Sequence, residues 1–414
     1  MLTKLKHTYL KFGFNIPLLI AFFLPFGINY AVFILIWSIC FFLFDDVKNS
    51  FNSIFNNKWS FIVIGFFLLH VVGYFFSENK IESSSAIEIK LCFLAFPILF
   101  FGSHYSHTHV KKIVISFVSG CMLVSFLCIF RSCYLYFFED TNAFFYSDFS
   151  YFIHPSYMAM YLVFALLIVM LFYKNWLAHL HLLNIKLGFM AVVFLVTIFL
   201  CSSKLGLLSA FFLLPTTFSV LLYNKGYKKI IIGLVLALLG LATASYKLFP
   251  TPFKRFQTAI NVTKSSQTID KTDAESTAVR ILIWKESIKL IKNKFWFGTT
   301  AGDVNDKLIE SYEKEGLTGA LTKKLNAHNQ FLQTFIGTGF IGFVLLILMT
   351  LFLIVYSFIK KNYILMLFSI LISLNFMVES MLQTQAGFTF FTFFLCLILK
   401  YNLKEVSEYK NITK

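Results

Sequence analysis

Residues 326–358 read NAHNQFLQTFIGTGFIGFVLLILMTLFLIVYSF. The stretch holds no Asp, Glu, Lys or Arg, and from Gln330 onward it is long and mostly apolar. A helical membrane span needs ~20 such residues, so 330–358 predicts a span. The four residues ahead of it, Asn326-Ala327-His328-Asn329, place polar groups at about the depth of lipid headgroups.

The same pattern repeats outward in both directions. Apolar cores fall at about 12–27, 29–44, 60–76, 87–102, 113–137, 155–173, 187–202, 205–223, 230–249, 330–358, 363–380 and 387–400. The first two share one run broken near Pro25-Phe26-Gly27, and could be a single kinked helix. Composition agrees: 58% of the 414 residues are hydrophobic, 19% are aromatic and only 14% are charged, where a soluble domain is about a quarter charged. An ordinary soluble enzyme, a disordered chain and a disulfide scaffold are thereby excluded. The seven Cys lie in or at the ends of apolar runs without a CxxC, as small hydrophobes do. The fold expected is all-α: a polytopic integral membrane protein of about twelve transmembrane helices. Lys4, Lys6 and Lys11 precede the first run without a small-residue cleavage site, so a retained first span is expected.

The net charge of +16 divides by side. With a cytoplasmic N-terminus and twelve spans, 18 of the 36 basic residues fall in cytoplasmic segments, among them Lys48, Lys58, Lys111, Lys112, Lys360 and Lys361. This is the positive-inside pattern, and it needs no nucleic acid partner. Both termini are then cytoplasmic. Residues 250–329 form one large external loop between spans nine and ten, with 13 Lys or Arg against 9 Asp or Glu; in a bacterium that side is the periplasm. The chain divides into 1–249 (spans one to nine), 250–329 (the loop) and 330–414 (the last three spans and a cytoplasmic tail). Within the loop, Asp273–Lys294 predicts an amphipathic helix with Ile281, Trp284, Ile288 and Ile291 on its apolar face and Asp273 or Ser276 as cap. Gly298 ends the region, and a second helix is expected over Asp303–Glu315.

Several residues could carry chemistry. His328, at the junction of loop and span, can accept a proton near neutral pH, and Asn329 could orient it or a ligand. Arg280 is one of three Arg in a chain that otherwise uses Lys; its planar fork suits phosphate oxygens. Lys204, after Ser203 in a tight external turn, opposes the charge rule and so suggests a task. His154 opens the sixth span, with Tyr157 and Tyr161 following at helical spacing. Glu379 is placed within the eleventh span, where an ionisable group is a site candidate or the partner of a Lys. Arg131 lines a cavity or snorkels outward. His104, His107 and His109 lack the further ligands of a metal set. With no Walker loop, no GxGxxG and no HExxH, neither a metal nor any other cofactor is expected. A cationic external site with one base suits a lipid-linked phosphate or diphosphate donor and transfer of its glycosyl group to a hydroxyl.

The spacing His328-Asn329, nine residues, then Gly339-Phe340-Ile341-Gly342 resembles the O-antigen ligase family, whose motif is H-[N/S/Q]-x9-G-x2-[G/T/Y]. Arg280-Ile-Leu-Ile-Trp284, then Phe297-Gly298 and Gly302-Asp303, resembles the family's Arg-bearing loop helix. One departure is Lys204 after Ser203, where the family usually has Arg, so the bidentate fork is lost there. The resemblance implies a GT-C-like, metal-independent, inverting glycosyltransferase in the bacterial inner membrane, working at the periplasmic face. Its donor would be an undecaprenyl-diphosphate-linked glycan, and its acceptor a hydroxyl of lipid A core. His328 and Arg280 would be catalytic; Lys204, Arg280, Asn329, Ser203, Glu379 and His154 would bind diphosphate or glycan, and membrane lipid would surround the site. An O-antigen or exopolysaccharide polymerase and an O-linked protein-glycosylating ligase use the same donor. A flippase for that lipid is the reading from another class; the concentration of polar groups in one external loop favours surface chemistry over it.

Overall fold

The computed structural model describes residues 15–44, 47–177, 183–223, 226–227, 271–272, 277–401 and 403, and there the chain is all-helical. Among the described residues six helices are long and apolar enough to cross a membrane: Lys58–Phe76, Lys80–Gly102, His107–Phe138, Pro155–Phe172, Lys204–Tyr223 and Gln330–Ile359. Shorter apolar helices cover Ile16–Phe26, Ala31–Phe44, Ile185–Leu200, Tyr363–Phe376 and Gln385–Lys400. The span expected at 230–249 lies outside the described residues. So do Lys4, Lys6, Lys11, Arg255, the Asp273 and Ser276 caps, and the tail beyond Leu403.

The described elements, in chain order, begin with α1 (Ile16–Phe23), α2 (Ala31–Phe44), α3 (Val47–Phe55), α4 (Lys58–Phe76), α5 (Lys80–Lys90) and α6 (Cys92–Gly102). Next come α7 (His107–Phe138), α8 (Tyr146–Phe149), α9 (Pro155–Leu177), α10 (Leu183–Leu200) and α11 (Lys204–Tyr223). The loop contributes α12 (Thr277–Asn293), α13 (Val304–Glu315) and α14 (Thr318–Thr322), and the chain closes with α15 (Gln330–Met349), α16 (Leu351–Ile359), α17 (Tyr363–Phe376) and α18 (Gln385–Lys400).

The first apolar run is two helices. A 3-10 turn at Leu24–Phe26 ends on Gly27 with φ 64, a left-handed conformation that favours glycine. The Tyr30 hydroxyl then donates to the Leu24 carbonyl at 2.8 Å, holding the bend. The amphipathic helix α3 was not anticipated. It lies against α6, where the Ser50 and Ser53 hydroxyls donate to the carbonyls of Gly102 and Phe101.

Helix α9 is central, with Met158 through Leu167 all buried. Lipid tails are as apolar as these side chains, so association rests on close packing. Aromatic rings supply much of it: Phe394 of α18 meets Phe117 of α7 and Phe164 of α9 at centroid distances of 4.8 and 4.9 Å, in the edge-on geometry that ring quadrupoles favour.

The loop helices form a second, smaller core. Val279, Ile283 and Ile291 of α12 pack with Val304, Leu308 and Tyr312 of α13 and with Ile336 of α15. This corrects the expected apolar face: Ile288 is exposed, and the helix is turned so that Val279 and Ile283 point inward. The turn is possible because Glu286, on the buried side, accepts from Ser311 at 2.6 Å and pairs with Lys289 at 2.8 Å. The subdomain is tied down at a second point. Asp303 accepts from the Ser77 hydroxyl at 2.7 Å, from the Asn79 and Glu78 backbone amides at 2.8 and 3.1 Å, and from Thr300 at 2.8 Å. These bonds fasten the loop to the corner between α4 and α5. Burial would raise the Asp303 carboxyl, but the four donors hold it below the ordinary value.

Candidate functional site

The span that opens on Gln330 is interrupted. Gly339 has φ 65 and ψ −163, so the Phe340 amide leaves the helical ladder and donates to the Phe295 carbonyl at 2.9 Å. Gly298, with φ 70, lies against Gly337 and Gly339, and a Cβ on Gly339 would collide with the Trp296 carbonyl. Thr299 donates its amide to Ile336 at 2.7 Å. The glycines therefore let the 295–299 turn dock backbone to backbone on α15.

At the beginning of α15, Asn329 caps the helix: its Oδ1 accepts from the Leu332 amide at 3.1 Å and its Nδ2 donates to the Met377 carbonyl at 3.1 Å. Both ends of the amide are thus engaged within the protein. Gln330 accepts from the Leu382 amide at 2.7 Å, and Gln333 accepts from the Ala327 amide at 3.0 Å. From α12, the Trp284 indole donates to the Ala327 carbonyl at 3.0 Å. His328 is held between these anchors at φ 43, with its amide on Asn326 Oδ1 at 2.9 Å. A non-glycine residue with positive φ is uncommon, and such positions collect at functional sites.

One helical turn before Trp284, Arg280 shares its face. Its Nη1 donates to the Val378 carbonyl at 2.9 Å, and its Nη2 lies 3.3 Å from Glu379 Oε1. The other oxygen of the same carboxylate, Oε2, lies 3.4 Å from His328 Nδ1. Glu379 thus divides its two oxygens between Arg280 and His328. It follows the end of α17 rather than sitting inside a helix, a correction to its expected place: α17 stops at Phe376, and the chain turns there to reach Met381–Gln383. Burial works to raise the Glu379 carboxyl. The His328 imidazole, the Arg280 guanidinium and the charge of His154 more than offset this and hold it below the ordinary carboxylate value.

The His328 side chain is 22% exposed, yet its Nδ1 is sealed from solvent and makes no well-aligned hydrogen bond. The open part of the ring is therefore its other edge, which carries Nε2. Arg280, 29% exposed, spends two of its five N–H donors on Val378 and Glu379. The arrangement offers an outward imidazole nitrogen, a carboxylate behind it and guanidinium N–H groups beside it.

The other expected residues gather at the same end of the bundle. His154 precedes α9 and bears electrostatically on Glu379, and its ring meets Tyr157 at 6.0 Å. Ser203 is buried; its Oγ accepts from the Gly206 amide at 3.2 Å and lies 3.3 Å from the Ser156 hydroxyl. It caps α11 and ties that helix to the start of α9. Lys204 is the first residue of α11. Arg131 turns outward, donating to the Asp148 carbonyl at 2.7 Å and lying 4.6 Å from the Tyr151 ring centroid.

Two features escaped the sequence reading. Gln330 and Gln333 bracket His328, which no local pattern reveals. Lys90 is only 2% exposed and its Nζ has no hydrogen-bond partner among the described residues. It faces a small polar cavity shared with His70, Gln330, Gln333, Thr334 and Gln383, directly beneath the His328 segment. A lysine inside an apolar run was visible in the sequence; its complete enclosure was not.

No curated protein matches the chain. The family model described as O-antigen ligase matches residues 189–347, a segment that includes Lys204, Arg280, His328 and Asn329 and ends before Glu379. Over that segment the chain is similar to the O-antigen ligase family.

Proposed function

We propose that the protein is a membrane glycosyltransferase that moves a glycan from an undecaprenyl-diphosphate carrier to a hydroxyl of lipid A core at the periplasmic face of the bacterial inner membrane. The observation that carries this is the sharing of Glu379 between Arg280 and His328, the latter two lying in a segment matched by the O-antigen ligase family model. The twelve-span layout, the division at 249 and 329, and the cytoplasmic termini belong to the same proposal. The six long and five shorter apolar helices among the described residues, with the apolar run 230–249, support it.

In this scheme His328 Nε2 takes the proton of the acceptor hydroxyl as its oxygen attacks the anomeric carbon. The bond from that carbon to the diphosphate oxygen breaks on the opposite face, inverting the centre, and the electron pair leaves on the diphosphate. Arg280, with Lys204 from the start of α11, meets the charge that develops there. Glu379 keeps the proton of the resting imidazole on Nδ1 and stabilises the imidazolium once Nε2 is protonated. No step calls on a metal or other cofactor.

The test is transfer by the purified protein in nanodiscs, with lipid-linked glycan as donor and core lipid A as acceptor. H328A is expected to lose roughly 10²–10⁴-fold in kcat while still binding donor, and R280A to weaken donor binding. Full activity in a correctly inserted H328A protein would refute the role of His328. Knockout glycolipids separate acceptors: unligated long polymer on the carrier supports the ligase, single repeat units a polymerase, and unglycosylated protein acceptors a protein ligase.

A further inference from the structure

At the end of the bundle away from His328 lies a cavity of about 620 Å³. It is open on one side and lined by the turn entering α4, the end of α16, the start of α17 and the last turn of α18. Its size is that of a small-molecule pocket, ~300–1,000 Å³. Two cations, Lys58 and Lys360, stand in its wall. Lys58 Nζ lies 5.8 and 5.6 Å from the ring centroids of Trp59 and Tyr356. Among the described residues, neither lysine enters an ion pair.

Two helix N-termini open on the same space. Asn57 caps α4 by accepting from the Trp59 amide, and Asn362 caps α17 by accepting from the Leu365 amide. Their positive ends add to the lysines in favouring an anion. The neighbouring side chains are those of a lipid-facing surface: Phe55, Phe61, Phe358, Ile359 and Tyr363 are all exposed. Leu365, Ile398 and Leu399 line the interior. The sequence expectation assigns this end to the cytoplasmic leaflet, whose anionic lipids attract basic clusters.

We propose that this cavity binds the phosphate-bearing headgroup of an anionic membrane lipid, with Lys58 and Lys360 on the phosphate and the acyl chains along the exposed Phe358 and Ile359 side. A diester phosphate matches the paired cations and capped helix starts, and two acyl chains match an apolar rim that water would otherwise meet. The proposal is independent of the glycosyl-transfer reading, because the cavity and His328 sit at opposite ends of α17.

The full chain is purified and examined by native mass spectrometry and thermal unfolding with phosphatidylglycerol or phosphatidylcholine. Retained phosphatidylglycerol adducts, and a higher Tm than in phosphatidylcholine, are expected. K58Q/K360Q is expected to weaken phosphatidylglycerol binding roughly tenfold or more with its Tm in phosphatidylcholine unchanged, and K58R/K360R to keep the binding. Unchanged phosphatidylglycerol affinity in the Gln double variant would overturn the assignment. A lipid-free arm uses glycerol 3-phosphate; an equal stabilisation there would place the phosphate on a soluble ligand and overturn the lipid as its source.

Discussion

Glu379 Oε2 lies 3.4 Å from His328 Nδ1, though one residue precedes α15 and the other follows α17. The contact turns the imidazole so that Nδ1 is enclosed and the opposite edge is open. A carboxylate this close favours the tautomer that carries its proton on Nδ1, the form the proposed role as base would need.

Replacing Glu379 with Gln keeps the side chain's shape and removes its charge. On the proposed mechanism the imidazolium would then lose its partner. E379Q is expected to lower kcat by roughly 10²-fold or more while leaving the acceptor KM near its original value, as for a group that acts through the base. Steady-state kinetics in nanodiscs decide it; a rise in KM alone would assign Glu379 to glycan binding.

The same carboxylate makes the site acid-sensitive. Its folded pKa is depressed, so the contact adds stability above the ordinary Glu value of 4.5 and loses it as the pH falls through the folded value. Thermal unfolding followed from pH 7 down to below 4 should show the wild type's advantage over E379Q shrinking at the acid end. An advantage constant across that range would contradict the linkage.

Asp303 fastens the loop subdomain to the α4–α5 corner through hydrogen bonds to Ser77, Glu78 and Asn79. D303A leaves buried donors without an acceptor, at a cost of ~1–3 kcal/mol for each one not rescued by water. A lower Tm is expected, with faster amide exchange in Thr300–Glu315 and at residues 77–79. Unchanged exchange at both places would mean the clamp is redundant.

Gly339 takes φ 65 against the Trp296 carbonyl. G339A adds a Cβ where there is no room and forces a rarely populated conformation, costing ~1–3 kcal/mol from the backbone alone. Because Gly339 sets the docking of the 295–299 turn, activity should fall with stability. Wild-type activity in G339A would show that this docking does not govern the position of His328.

Lys90 presents the opposite case, a buried ammonium without a hydrogen-bond partner among the described residues. Exchanging a buried charge for an apolar side chain of similar volume is often neutral or stabilising by ~1–4 kcal/mol. K90M is therefore expected to hold or raise the Tm. A clear fall would reveal an anionic or water partner in the cavity beneath the His328 segment.

Sequence by itself determined that the chain is helical and membrane-embedded, because apolar runs of spanning length admit few other structures. It also determined the candidates His328 and Arg280, through the spacing to Gly339 and Gly342 and through the rarity of Arg. It did not determine how helix faces turn. The face of α12 differs from the one its periodicity predicts because Glu286 counts as polar there, and only its partners Ser311 and Lys289 make its burial tolerable. Nor did it place Glu379 beyond the helix, since the end of α17 is marked by no Gly or Pro. The joining of Glu379 to both His328 and Arg280, the backbone docking at Gly298 and Gly339, and the enclosure of Lys90 were decided by tertiary structure alone. Each depends on groups distant in the chain, whose meeting is set by the packing of α12, α15 and α17 and not by any local preference.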